Sequence, residues 1–394
     1  MFKNAYIPYG GYYSTPFAKW QGSLQNENSI KLAGNTSKRF FEEKGFDPQI
    51  IEYVYFGHTS IQPGSFYAAP YGAAEMGINV PSQSVNHACA TSTTTVFNAA
   101  SAVEVSGYKT VYCMLGDRLS NAAHVVWPNP LGPGGMPIKE DINIDNINAD
   151  PATGFSMLTT AENVAKENGF TREEADELTF IRYEQYKEAL KNDREFQKRY
   201  MFPIVVKKRK GELVLEEDEG VFPTTREALT KLRTVMKDGI HTFGSQTHPA
   251  DGNVGIIVTE KENALTLSKD KNIPIQIVSY GASRTKKAFM PAAPAEAAKA
   301  ALEKAGVKVE DLKAIKNHTP FIVNDLHFAK ALGLDPKNIN NYGTSMVFGH
   351  PQGPTMGRLL IEAIEETVIK GGGYALIAGC AAGDNAASLI VKIG

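Results

Sequence analysis

Four short segments hold isolated reactive side chains among small neighbours. They are Cys89 in Val85–Thr94 (VNHACATSTT), His318 in Asn317–Phe321 (NHTPF), His350 in Gly349–Arg358 (GHPQGPTMGR) and Cys380 in Gly379–Asn385 (GCAAGDN). Two thiols with two imidazoles suit acyl transfer through a thioester, where a sulfur nucleophile needs a base and a carbon centre needs an acid. Cys89 precedes a run of small and β-branched residues, Ala90–Ala100, that reads as a buried helix. At a helix N-terminus the dipole favours a thiolate, and free N–H groups can stabilise an oxyanion. His350 lies between Gly349 and Pro351, which fix its backbone direction and leave room for a base that takes the Cys89 proton. Cys380 follows an apolar run and precedes small residues, so its thiol can act as acid and base toward a carbon acid. His318 can hydrogen-bond a thioester oxygen or orient a water.

Each residue also has a plainer reading: a core cysteine, a turn histidine capping a helix, a small strand-end hydrophobe, a histidine bonded to a loop carbonyl. Zinc competes for a set of cysteines and histidines, but no C-x-x-C or H-x-x-x-H pair occurs, and no metal is expected. Cys113 reads as core, and His87, two residues from Cys89, can line the same pocket. No G-x-G-x-x-G follows a strand, and neither a Walker A nor a G-x-S-x-G elbow occurs.

The elements that must position these residues belong to a large chain. Its 394 residues exceed one ordinary core, and 42% apolar content, 21% charged content and a net charge of −2 describe a globular enzyme rather than a nucleic-acid binder. No apolar window reaches membrane-spanning length, three cysteines do not make a disulfide framework, and the first residues lack a signal-peptide pattern. A cytoplasmic location is expected. Val54–His58, Lys109–Leu115, Ile275–Tyr280 and Tyr374–Ala378 read as strands; Ala161–Asn168, Arg172–Lys191, Ala292–Ala305 and Leu359–Lys370 read as helices. The stretch 121–240 is polar and punctuated by loops, which predicts an insertion or lid between an N-terminal half (1–120) and a C-terminal half (241–394). The halves share an order of reactive loop, small-residue helix, glycine, strand and Gly-Asp, running from Cys89 to Asp117 and from His350 to Asp384. The active site is then expected where the halves meet.

With these residues in view, the chain resembles the thiolases over nearly all its length. Asn86-His-Ala-Cys89 is similar to the family's nucleophile loop N-x-x-C, and Met157-Leu-Thr-Thr-Ala-Glu-Asn163 to the M-G-x-T-A-E segment of the domain that covers coenzyme A. Thr242–Gly252 (TFGSQTHPADG) falls where the family has T-A-G-N-A-S-G-I-N-D-G, and Gly349-His-Pro-Gln-Gly353 with Cys380 resembles the remaining catalytic blocks. The resemblance implies a five-layered αβαβα fold of two similar halves with an inserted loop domain. It implies that Cys89 attacks a 3-ketoacyl-CoA, His350 activates it, Cys380 handles the carbon proton and free CoA takes the acyl group. Acyl-CoA and CoA are the implied ligands, contacted by Met157, Ser245, Thr247, His248, Phe321, Ala382 and Gly383, and a homodimer or tetramer is the implied assembly.

Several positions depart from the family pattern. His318 replaces the asparagine of N-E-A-F, as in histidine-bearing branches, and Ala382 stands where C-x-G-G-G has glycine. Ser245 and Thr247 replace the Asn and Ser of the CoA-contacting block, bulky His248 follows, and the basic residue after Asp218-Glu219 is missing. Trp127, Pro128 and Met136 mark an unusual loop domain. These departures imply an uncommon acyl group, bulky or aromatic, of the kind found in benzoylsuccinyl-CoA. The alternatives are biosynthetic Claisen condensation by the same residues, and a subunit active only with a small zinc-ribbon/OB-fold partner.

Overall fold

The computed structural model describes residues 2–394. Short strands β1 (Tyr6–Ile7), β2 (Tyr12–Ser14) and β3 (Ala18–Lys19) precede β4 (Tyr53–Gly57), β5 (Ser82–Val85) and β6 (Thr110–Arg118). Two hairpins follow, β7–β8 (His124–Trp127, Ile138–Asp141) and β9–β10 (Ile204–Lys207, Glu212–Leu215). The last strands are β11 (Ala250–Thr259), β12 (Ile275–Arg284), β13 (Leu312–Asn317), β14 (Gly373–Ala381) and β15 (Asn385–Ile393). One half-sheet runs β5-β4-β6-β11 and the other β13-β14-β15-β12, with β1 bridging β11 and β12.

The half-sheets repeat one design. β6 lies parallel to β4 and forms a nine-pair antiparallel ladder with β11; β14 lies parallel to β13 and forms a nine-pair ladder with β15. Successive side chains of a strand point to opposite faces, and this alternation builds the layers. Val111, Cys113 and Leu115 enter the core shared by both halves, whereas Tyr112 and Met114 pack with residues of the Ser29–Lys44 and Ala68–Met76 helices. Ala375 and Ile377 likewise enter the shared core, and Leu376 and Ala378 pack with residues of the Ala293–Ala305 and Ile322–Leu332 helices. The Thr91–Val105 and Thr355–Ile369 helices fill the shared core, so the layers run helix, sheet, helix, sheet, helix. This is the expected α/β architecture, and Cys113 is a core residue in it.

The stretch 121–240 is largely exposed, as its polar composition predicts, but part of its long helix enters the interior. Its Arg172–Lys198 helix opens with a Thr171/Glu174 capping box and breaks at Lys191–Arg194, where three residues take positive φ. From this stretch Tyr186, Phe196 and Tyr200 join the shared core, and fully buried Arg182 donates to Asp325 at 2.7 Å. Charge enters the interior here because each charged group meets its partner there. Among the described residues no helix is long and apolar enough to cross a membrane.

Candidate active site

Cys89 is delivered by a tight turn just before the Thr91–Val105 helix. Ala88 takes φ +44°, Asn86 Oδ1 accepts from the Ala88 N–H at 3.0 Å, and the Ala90 N–H returns to the His87 carbonyl at 3.0 Å. Ala90 at the N-cap offers no side-chain acceptor, so the helix keeps free N–H groups at this end. Burial pushes the Cys89 thiol up to about 12, against hydrogen bonds from its own N–H and from the Ala382 N–H. The Ala382 methyl therefore does not remove that donor from the site.

His350 follows Gly349, whose φ of +91° and tight packing exclude a side chain: a Cβ there would lie 2.8 Å from both Ala250 and the His248 ring. The His350 N–H donates to the His248 carbonyl at 2.9 Å, Nδ1 meets Thr355 Oγ1 at 2.6 Å, and Nε2 meets Cys89 Sγ at 3.1 Å. Burial, with His248 adding to it, lowers its pKa to about 3, so the resting ring is neutral. With Nε2 accepting from the thiol, Nδ1–H donates to Thr355.

His318 follows β13 and donates its N–H to the Ala378 carbonyl at 2.9 Å. Its Nδ1 meets Ser345 Oγ at 2.8 Å, while the buried Nε2 has no hydrogen-bond partner. Burial and then the neighbouring His350 hold its pKa well below the usual imidazole range. The two rings lie 4.2 Å apart, and one ligand atom each from Cys89, His318 and His350 lie within 4.8 Å of one another. Gly379 makes the close fit possible, since a Cβ on it would lie 2.8 Å from the His318 Cβ.

Cys380 lies within β14, fully buried, and Asn324 Nδ2 donates to its sulfur at 3.2 Å. Burial pushes its thiol up, and Cys89 adds to the effect. Cys380 shares an apolar cluster with Phe321, Met290, Ala161 and Val164, and Met157 packs against it. The structure thus brings Met157 and Phe321 to one side of Cys380. Gly383 (φ +82°) forms the β14–β15 turn beside Ala382.

Ser245, Thr247 and His248 thread between the two histidine loops. The Ser245 carbonyl accepts from the Ile322 N–H at 2.9 Å, and the Thr247 N–H donates to Pro320 at 2.8 Å. The hydroxyls of both are engaged inside the chain, Ser245 accepting from the Thr242 N–H at 2.8 Å and Thr247 donating to the Ser345 carbonyl at 2.7 Å. His87 holds Thr94 Oγ1 through Nδ1 at 2.7 Å. Sequence reasoning missed Thr355, Ser345 and Asn324, ordinary polar residues that no motif spacing singles out. It also missed Asp117 as an organiser: the buried carboxyl accepts N–H groups from Thr59, Ser60 and Gly353 at 2.9 Å each.

A thiol in contact with an imidazole, beside a second imidazole whose buried Nε2 has no partner, is an arrangement that can support acyl transfer. Comparison with known proteins agrees. The family model for the thiolase N-terminal domain matches residues 11–262 and that for the C-terminal domain residues 272–393. Mitochondrial 3-ketoacyl-CoA thiolase of Homo sapiens is 28% identical over 386 residues, 96% of each chain. Beta-ketothiolase BktB of Cupriavidus necator is 27% identical over 389 residues, also 96% of each. The crystal structure of human mitochondrial 3-ketoacyl-CoA thiolase superposes with a TM-score of 0.91 at 26% identity, covering 100% of this chain and 99% of that one. The same enzyme in complex with CoA superposes with a TM-score of 0.90 at 25% identity, covering 100% and 98%. The chain belongs to the thiolase family and is an acyltransferase.

Proposed function

We propose that the chain cleaves a 3-ketoacyl-CoA thiolytically, with CoA as co-substrate, through an acyl-Cys89 intermediate. The observation that carries this reading is the 3.1 Å contact between Cys89 Sγ and His350 Nε2, beside the unpaired Nε2 of His318. As the sulfur attacks the 3-keto carbon, the thiol proton passes to His350. The bond between the α and β carbons breaks, its electron pair enters the acyl-CoA enolate, and the Cys380 thiol protonates the α carbon. The acyl group stays on Cys89, its oxygen facing the N–H groups of Cys89 and Ala382. His318, with Nδ1 accepting from Ser345, donates Nε2–H to the enolate oxygen. CoA then gives its thiol proton to the Cys380 thiolate and attacks the thioester; departing Cys89 recovers its proton from His350.

We further propose a bulky or aromatic acyl group, benzoylsuccinyl-CoA being the model, on the strength of His318, Ala382 and the Ser245–His248 departures. The stretch 121–240 is proposed as the domain over CoA, supported by Met157 packing beside Phe321 and Cys380 and by Glu162 accepting from the Ile240 and His241 N–H groups at 3.0 Å. Because the Ser245 and Thr247 hydroxyls are engaged, the proposed ligand contacts narrow to Met157, His248, Phe321, Ala382 and Gly383. An oligomer, or a small zinc-ribbon/OB-fold partner, is supported by the β7–β8 hairpin, which exposes Val126, Trp127, Leu131, Met136 and Ile138. A cytoplasmic location completes the reading.

The test is mass spectrometry after incubation with straight, branched and aromatic 3-ketoacyl-CoA substrates. An acyl adduct is expected on Cys89 and lost in Cys89→Ala; an adduct elsewhere, or none with any substrate, ends the assignment. Cys380→Ala should still acylate but exchange α-protons about 10²–10⁴-fold more slowly.

A further inference from the structure

The centre of the site meets a demand unrelated to acyl transfer. One thiolate and two imidazoles around Zn²⁺, at about 2.3 Å and about 2.0–2.1 Å, would lie roughly 3.3–3.6 Å from one another. Here the ligand atoms of Cys89, His318 and His350 lie within 4.8 Å of one another, and the Cys89–His350 pair is at 3.1 Å. Seating a cation needs that pair to open by roughly 0.5 Å and the wider separations, which reach up to 4.8 Å, to close toward roughly 3.6 Å.

Both rings are already oriented for ligation. His350 and His318 each spend Nδ1 on a hydroxyl, of Thr355 and of Ser345; His350 presents Nε2 to the thiol, and His318 Nε2 has no partner. A hydroxyl can accept from Nδ1–H as well as donate to Nδ1, so either ring can hold the tautomer with a free Nε2 lone pair. Such outer partners fix ring direction at metal sites. The His318 ring is fully buried and its Nε2 has no hydrogen-bond partner, which leaves that atom open to a ligand.

We infer that Cys89, His318 and His350 form a three-ligand site for a soft divalent cation, Zn²⁺ by ligand type, whose occupancy excludes acylation of Cys89. Forming the sulfur–zinc bond releases the thiol proton to water, one per cation, with no change of oxidation state; water takes the fourth position. The cation occupies both the sulfur lone pair and the base, so the two uses of the site are mutually exclusive. The inference uses the same side chains as the proposed reaction but does not depend on its substrate.

The test begins with full-length protein stripped by chelator. Titration with Co²⁺ should give the thiolate charge-transfer and visible bands of a tetrahedral site, and Zn²⁺ should bleach them. Cys89→Ser should lose the charge-transfer band, and His318→Asn should weaken Zn²⁺ binding at least about tenfold. In wild type, Zn²⁺ should block both iodoacetamide labelling of Cys89 and acyl-adduct formation, with chelator restoring both. Absence of Co²⁺ bands in the wild type, a charge-transfer band that survives Cys89→Ser, or unchanged Zn²⁺ affinity in folded His318→Asn would overturn the site. Stripped protein that acylates with no effect of Zn²⁺ defeats this inference alone. Cation binding without any acyl adduct defeats only the acyl-transfer reading.

Discussion

The Thr91–Val105 and Thr355–Ile369 helices occupy corresponding places in the two halves, yet they bury opposite kinds of polarity. The first buries hydroxyls, those of Thr91, Ser92, Thr93 and Thr95. Thr95 bonds the Thr91 carbonyl one turn back at 2.8 Å, so it needs nothing from outside its helix. The second buries charge, in Arg358, Glu362, Glu365 and Glu366. Arg358 holds Asp218 through two bonds of 2.6 and 2.8 Å and Glu362 at 3.0 Å. Lys316 and the Tyr200 hydroxyl also reach Glu362, and Arg199 reaches Glu365. Burial opposes the Arg358 charge, but Asp218, Tyr200 and Glu362 outweigh it and hold its pKa well above the usual value.

The difference assigns each helix a job. The first helix meets its hydroxyls with neutral acceptors close at hand: Thr91 reaches the Ala88 carbonyl, Ser92 the Gly353 carbonyl and Thr93 the Met356 sulfur, so it seats Cys89 without any buried ion. Buried ions need partners from elsewhere, and Asp218, Arg199 and Tyr200 all come from the stretch 121–240. The second helix therefore fastens that stretch to the core while carrying Thr355 behind His350.

If so, the largest effect belongs to Arg358→Met, which leaves Asp218 buried without its cation and Glu362 with Lys316 alone. It should cost about 3–5 kcal/mol in denaturant unfolding, and adding Asp218→Leu should recover part of that. A cost below about 1 kcal/mol would show that the ion cluster fastens nothing.

A smaller effect separates the aspartates that close the repeated units. Asp384 stays within its own half, accepting the Ala288 and Phe289 N–H groups at 2.8 and 3.0 Å. Asp117 crosses over, tying Thr59 and Ser60 to Gly353 of the His350 loop. Burial raises the Asp117 pKa from 3.8 to about 7, against those hydrogen bonds. Because the folded value lies above the unfolded one, the fold favours the protonated carboxyl. That contribution is complete below about pH 4 and is lost as pH rises through about 7. The stability advantage of wild type over Asp117→Asn should shrink by roughly 3–4 kcal/mol between pH 4 and 8. A gap constant across that range would mean the carboxyl ionises normally in the fold.

The smallest effect is Thr95→Val in the first helix. With only its own turn to satisfy, it should cost less than about 1 kcal/mol in the same unfolding assay. A loss matching Arg358→Met would erase the contrast between the helices.

Much of the framework was legible before the fold was known. The apolar runs around Val54, Val111, Ile275 and Tyr374 appear as β4, β6, β12 and β14, and the Ala-rich helix runs Ala293–Ala305. Local periodicity suffices for such elements because burial of one face or stripe selects them. The two- and three-residue strands β1, β2 and β3 were not legible, since they exist only through pairing with β11 and β12. Nor was the position of β11, which follows the stretch 121–240 in sequence but pairs with β6 along its whole length. The polar texture of Arg172–Lys198 hid the burial of Arg182, because a charge becomes a core residue only when its partner is beside it.

The sequence alone determined which reactive groups are present and the small-residue turns that hold them, because residue type and backbone freedom are local properties. It determined the strand alternation that sends Cys113 into the core for the same reason. Only the tertiary structure decided that Cys89 and His350, 261 positions apart, meet at 3.1 Å, and that Thr355 and Ser345 hold the two imidazoles with their centroids 4.2 Å apart. Those contacts depend on how two half-sheets close over two helices. Packing of distant surfaces sets them, and no local spacing encodes it.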